Sequence, residues 1–384
     1  MRLWAALVGL LVGGVGVGAE LPYPQGTAFP LGLYSIQTVD EMKQEAGFGW
    51  NIGHTYSMKP TFLEIVKEAG WFTLTHLAKA DEETTKATIT DLVGRGPVAW
   101  WDLPEEQRWW RADEYQVVKD LSAWTRKYDP QKRPNYMYIA GHYQAAAIAK
   151  YVPYLDIIGA GTYTEYSKMP RQWVRWRMEE TIRGIEQGGA KVGKDYLNGE
   201  KTPIGIPMLF GKPGEIPTMT PAAAYHDFYS CLASGARGIL IFSYWHKRDA
   251  PGLQATYEAY AKAAREVSGP EGIGQALLFG EQVPVQVKVV DGPSEAPPFK
   301  PVAVTTDVSL PAVNVRAMRH NGKLLVIVVN SVEQAARVRI EGLPAEVTAV
   351  RAPFEEGRSV TVTQTGLEDA IGPLGVHIYT AGGQ

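Results

Sequence analysis

Apolar and polar positions divide the chain into two regions of different rhythm. From about residue 28, short runs rich in β-branched and aromatic residues alternate with longer stretches of helical period. That alternation predicts repeated β–α units and hence a parallel sheet. The strand-like runs are 29–36, 50–56, 71–77, 98–103, 135–140, 156–163, 202–210 and 238–244. Helical segments follow them at 39–46, 61–69, 82–94, 114–128, 144–151, 171–187, 221–234 and 253–267. Eight units in about 250 residues predict an α/β fold of the (β/α)8 TIM-barrel kind.

The rhythm changes after Pro270. Asp291 to Pro298 is turn-rich and aperiodic. Short strand-like runs follow at 313–319, 324–329, 337–340, 347–350, 359–364 and 375–379. Asn321-Gly322 between the first two is a hairpin signal. Many short strands with few helices predict a small all-β sandwich. The expected organisation is a signal peptide at 1–19, a barrel at 20–272 and a sandwich at 273–384.

The signal-peptide expectation rests on Arg2, a Gly-punctuated apolar run from Leu3 to Val17, and the small residues Val17-Gly18-Ala19 before Glu20. The run is short for a membrane span, which needs about 20 apolar residues. A secreted or periplasmic protein without a membrane segment after cleavage is therefore expected. The single cysteine, Cys231, lies in an apolar helical stretch and reads as a buried thiol. A net charge of −3 with no basic run argues against nucleic-acid binding. The 11 tryptophans and 19 tyrosines exceed what a core alone requires and suit a carbohydrate partner. No dinucleotide fingerprint follows a strand, so no organic cofactor is implied.

In such a barrel, catalytic groups occupy the C-terminal ends of the strands and the loops after them. Reading those ends in order gives Gln37 and Asp40; His54 and Tyr56; His76; Trp101, Asp102, Glu105 and Glu106; His142 and Tyr143; Tyr163, Glu165 and Tyr166; Lys212 and Glu215; and Tyr244 to Asp249. The fourth end, Ala99-Trp100-Trp101-Asp102-Leu103-Pro104-Glu105-Glu106, runs from tryptophans directly into carboxylates. Indole faces stack on the C–H face of a sugar while an acid protonates its glycosidic oxygen. Glu105 is the expected proton donor, because burial among aromatic rings raises a carboxyl pKa. Its partner is expected among Glu165, Asp102 and Glu215. Trp101, His54, His142, Tyr163, Trp245 and His246 are the expected sugar contacts. The alternative for Glu105 and Glu106 is a solvated helix start, where acids favour the dipole.

The same stretch resembles TIM-barrel glycoside hydrolases with a C-terminal β-sandwich. One bacterial group of these carries Gly-Trp-Tyr-Leu-x-Asp-Glu-Pro at its fourth strand. Glu105 falls on the glutamate, Pro104 replaces the aspartate, and Asp102 stands upstream. Further matches are Tyr128-Asp129-Pro130, Arg133-Pro134, Asp156-Ile157-Ile158-Gly159, Ala233 to Gly238, and Arg319 to Lys323 with Val328-Val329-Asn330. Gly161 stands where that group often has an aspartate. The resemblance implies hydrolysis of O-glycosyl bonds in a poly- or oligosaccharide by carboxylate acid/base chemistry. The chain departs from the retaining barrel glycosidases, which place Asn-Glu at the fourth strand and a nucleophilic glutamate at the seventh. No Asn precedes Glu105, and 204–210 contains no acid.

Two alternatives follow. A non-catalytic carbohydrate-binding protein on a glycosidase scaffold accounts for the missing seventh-strand acid. A metal-dependent hydrolase would draw on His54, His76, His142 and His246. No His-x-His or His-Glu-x-x-His spacing supports it, and no metal ligands are assigned.

Overall fold

The computed structural model describes residues 20–57, 59–212 and 214–382. The segment read as a signal peptide lies outside them. Eight strands, β1 (Leu31–Tyr34), β2 (Ile52–Thr55), β3 (Phe72–His76), β4 (Val98–Asp102), β5 (Asn135–Ile139), β6 (Ile157–Thr162), β7 (Thr202–Pro207) and β8 (Ile239–Ile241), form a closed parallel barrel. Closure comes from pairing of β1 with β8, Gly32 opposite Leu240. Each expected strand and helix has its counterpart, so the fold class is the one that the periodicity implies.

Local chemistry sets the helix starts. Thr38, Asp81 and Thr220 each accept a hydrogen bond from the backbone amide three residues on, capping helices Val39–Ala46, Glu82–Arg95 and Pro221–Ala233. Strand alternation then sorts the side chains between two layers. Tyr34, Ile52, Leu74, Trp100, Tyr136, Tyr138, Ile204 and Leu240 fill the barrel interior. Trp101, Met137 and Ile139 point outward against the helices, with Leu92, Val118 and Leu121. On β6 two of the inward positions, 159 and 161, are glycines for a steric reason. A Cβ on Gly159 would lie 2.6 Å from the Tyr136 hydroxyl, and one on Gly161 would lie 2.4 Å from that of Tyr138. The large tyrosines of β5 therefore require small residues beside them.

The C-terminal region is one nine-stranded antiparallel sheet. Its strands are β9 (Glu281–Val283), β10 (Gln286–Asp291), β11 (Val313–His320), β12 (Lys323–Asn330), β13 (Ala336–Glu341), β14 (Ala349–Ala352), β15 (Arg358–Thr363), β16 (Gly366–Ile371) and β17 (Val376–Ala381). They run in the order β10-β13-β16-β15-β14-β17-β12-β11-β9. The sheet curls into two layers around Val326, Val328, Val338, Ile340, Val350 and Leu367. β15 pairs with strands of both layers, so the sandwich is continuous rather than split. Asn321 and Gly322, both with positive φ, form the tight turn between β11 and β12.

β12 is buried on both faces. Leu324, Val326 and Val328 face the sheet core, while Leu325, Ile327 and Val329 join Met318 and Ile378 against the barrel. Each such side chain contributes about 1.5–3 kcal/mol when fully buried. Polar contacts fix the register against helix Pro221–Ala233. Arg316 donates to the Leu232 carbonyl at 2.7 Å, and His226 meets the Ser331 hydroxyl at 2.9 Å. The connection between β10 and β11 also reaches the barrel. Phe299 packs on Trp173 and Trp176, and Gln172 donates to the Pro297 carbonyl at 2.8 Å.

Candidate active site

The C-terminal mouth of the barrel opens into a cleft of about 540 Å³. Glu105 and Glu106 line it from the loop after β4, His142 from the loop after β5, Tyr163 and Tyr166 after β6, with Phe210 and Phe242 against those two tyrosines. Aromatic rings build the floor. Tyr163 stacks on Tyr138 at 5.6 Å and on Phe242 at 5.7 Å.

Glu105 is the chemically distinctive group. Desolvation by burial, reinforced by the charge of Asp102, raises its pKa from 4.5 to about 8. The carboxyl therefore carries its proton at neutral pH. Tyr56, at the end of β2, donates a 2.8 Å hydrogen bond to its Oε2. Beneath it, Tyr34 and Tyr136 share a 2.6 Å hydroxyl contact across the interior.

Asp102 is fully buried and stays an anion. Burial opposes its charge, but hydrogen bonds from two imidazoles prevail and hold its pKa below the usual range. Its Oδ2 accepts from His54 Nε2 at 3.1 Å and from His76 Nδ1 at 2.9 Å. Burial lowers the pKa of His54, favouring a neutral ring whose Nδ1 has no partner among the described residues. His54, His76 and Asp102 bring three potential metal-ligand atoms within 4.8 Å of one another. Here both imidazoles converge on one carboxylate oxygen at hydrogen-bond distance, so the cluster is bound to itself.

The structure places the expected site residues unequally. Glu105, Tyr163 and His142 share the cleft. Asp102 lies under it and acts on Glu105 through charge. Several expected sugar contacts need correction. Trp101 is fully buried on the outer face of β4, where Nε1 donates to Asp129 at 2.8 Å. Strand alternation turned Trp100, not Trp101, inward. His54 is 1% exposed and lies between the rings of Tyr34 and Tyr56, so it does not reach the cleft. Trp245 is exposed but borders a separate small depression with Gln37, Thr38 and Arg248. His246 bonds Asp249 at 2.6 Å, with its ring 6.1 Å from Phe210 at the cleft edge.

Glu165, expected as a catalytic partner, is ion-paired with Arg171, which also binds buried Asp227 at 2.8 Å. It lines the crevice against Pro297 to Phe299, in the connection between β10 and β11, rather than the cleft of Glu105. Glu215 pairs with Lys212 at 2.6 Å on the surface. Tyr34, Tyr136, Tyr138, Phe210 and Phe242 were absent from the sequence expectations. The alternation in Asn135-Tyr136-Met137-Tyr138-Ile139 is the signal that puts both tyrosines on one strand face.

Fold and site together define a (β/α)8 barrel with an aromatic, acid-bearing mouth and a C-terminal antiparallel domain. Solved glycoside hydrolases share this architecture. A GH27 β-L-arabinopyranosidase from Geobacillus stearothermophilus superposes with TM-score 0.57 at 10% identity, over 95% of this chain and 100% of that one. A putative alpha-galactosidase/melibiase from Bacteroides fragilis gives 0.54 at 12% identity, over 92% and 79%. A GH30 endoxylanase from Clostridium papyrosolvens gives 0.51 at 9% identity, over 95% and 97%. These likenesses concern the fold. No protein-family profile and no curated protein matches the sequence.

Proposed function

We propose that the protein is a glycoside hydrolase in which Glu105 is the general acid. The observation that carries the reading is a protonated, largely buried carboxyl in an aromatic cleft at the barrel's C-terminal mouth, beside a second carboxylate, Glu106. Glu105 gives its proton to the glycosidic oxygen as the C–O bond breaks. Tyr56 then hydrogen-bonds the carboxylate that this transfer leaves. Glu106 takes a proton from the water that adds to the anomeric carbon. Tyr163 and Tyr166 offer faces to the sugar, and His142 a polar edge. The fold likeness to glycosidases supports the reaction class.

The test is sugar release from plant, algal and bacterial polysaccharides by residues 20–384, by Glu105→Gln and by Glu106→Gln. Loss of general acid catalysis lowers kcat by about 10²–10⁴-fold. A fully active Glu105→Gln variant removes Glu105 from the mechanism. Secretion belongs to the same proposal. N-terminal sequencing of the exported protein is expected to begin at Glu20.

One observation favours a second reading, a carbohydrate-binding protein without turnover. Both cleft carboxylates come from the loop after β4. Among the described residues, no acid from the loops after β6 or β7 lines the cleft. Glycan binding without sugar release across the panel would support that reading.

A further inference from the structure

We propose that Trp110 is the stacking platform of an outer carbohydrate subsite, so that the cleft takes a glycan chain running past His142 and over the loop after β4. The proposal rests on the reading of the cleft as a sugar site.

Trp110 is 53% exposed, an unusual state for so large an apolar ring. It lies five residues beyond Glu105 on the same loop. Its indole rests on Tyr143, with ring centroids 6.0 Å apart, and meets Trp109 edge-on at 5.8 Å. Tyr143 in turn contacts the ring of His142 at 4.6 Å. His142 lines the cleft, so Trp110 continues its wall outward through one buried ring. Trp109 is differently engaged, with the Lys150 ammonium 5.7 Å from its ring.

The platform is also held in place. The Gln107 carbonyl accepts hydrogen bonds from the Tyr143 and Tyr151 hydroxyls. Gln107 Nε2 donates back to the Glu105 carbonyl at 2.9 Å. Arg108 forms an ion pair with Glu114 at the start of helix Ala112–Tyr128. A fixed ring loses little conformational entropy on binding, which suits a stacking surface. Tyr166, from the loop after β6, is 60% exposed and lines the cleft itself. Exposed aromatic rings thus stand on the loop that carries the carboxylates and on the loop after β6. A single sugar ring would leave one of them unused, whereas a chain covers both.

The experiment uses the Glu105→Gln protein, which retains the cleft. Its migration is measured in native gels containing xylan, glucomannan, laminarin, hydroxyethylcellulose or polygalacturonate. At least one polymer is expected to retard it. Adding Trp110→Ala is expected to weaken that binding about ten-fold, with Trp110→Phe in between. Free glucose, galactose or xylose is expected not to compete. Equal retardation with and without Trp110, or no retardation by any polymer, overturns the proposal.

Hydrolysis is scored separately with the wild-type chain. Trp110-dependent binding without Glu105-dependent cleavage would retain the subsite and remove the catalytic reading. Glu105-dependent cleavage of polymers with a KM indifferent to Trp110→Ala would do the reverse.

Discussion

Tyr56 donates a 2.8 Å hydrogen bond to Glu105, and the contact ties the end of β2 to the loop after β4 across the barrel mouth. It works against the two largest of the influences that keep Glu105 protonated. Burial and the Asp102 charge raise the carboxyl pKa, whereas the Tyr56 hydroxyl stabilises the anion and lowers it. Proton donation requires both states of Glu105, so this opposition sets the pH at which the acid works.

Removing the hydroxyl alone separates these effects. In Tyr56→Phe the ring still excludes water while Glu105 loses a donor. The pKa of Glu105 is expected to rise above about 8. The alkaline limb of kcat/KM then moves to higher pH, and kcat falls about 10–100-fold because the developing carboxylate is less stabilised. The pH–rate profile, with carboxyl titration followed by ¹³C NMR, measures both. An unchanged limb would show that Tyr56 does not act on Glu105.

Asp102→Asn is expected to move that limb the other way. Loss of the buried negative charge lowers the Glu105 pKa, so the acid deprotonates at lower pH. The variant is also less stable, because His54 and His76 lose the anion on which both converge. Each hydrogen bond lost to a buried carboxylate costs about 1.5–3 kcal/mol. Opposite limb shifts in Tyr56→Phe and Asp102→Asn distinguish charge from general disruption of the mouth.

Glu105 also makes folding stability depend on pH. Its folded pKa, about 8, lies above its ordinary value of 4.5, so between them the folded state binds more protons than the unfolded. This group's contribution is fully present below 4.5, declines as pH rises towards 8, and levels off beyond it. Gln cannot titrate. The Tm of Glu105→Gln relative to wild type is therefore expected to increase from pH 5 to pH 8. Parallel Tm curves across that range would show that Glu105 does not hold a raised pKa.

The barrel was legible in the sequence because its periodicity is strong, and the hairpin because Asn321-Gly322 admits few alternatives. The site was legible only where it depended on position along a strand. Glu105 lies just past β4, and any reading that finds the strand finds the acid. Long-range pairing was hidden. Nothing near Glu165 indicates that its neighbour Arg171 also binds buried Asp227, or that both face segment 297–299 between β10 and β11. Nothing near His54 indicates that Tyr34 of β1 covers it, whereas the two-residue spacing to Tyr56 does place that ring on the same face. The orientation of Trp100 and Trp101 was legible in principle. Adjacent strand residues face opposite layers, and only one of the two can face the interior with Asp102.

That orientation gives the last prediction. Trp101 donates to buried Asp129, which also receives Arg133 at 2.6 Å and its backbone amide at 2.9 Å. Trp101→Phe keeps most of the apolar volume but removes one donor from a buried carboxylate, costing about 1–3 kcal/mol. Trp100 is inside the barrel beside Tyr136, and its Nε1 has no partner among the described residues. Trp100→Phe therefore sacrifices packing without a hydrogen bond. Trp101→Phe is expected to lower Tm while leaving KM for any hydrolysed glycan unchanged, because the ring lies on the outer face of β4. Chemical denaturation and steady-state kinetics of the two variants test this assignment. A raised KM with an unchanged Tm in Trp101→Phe would return Trp101 to the cleft and reverse the register derived for β4.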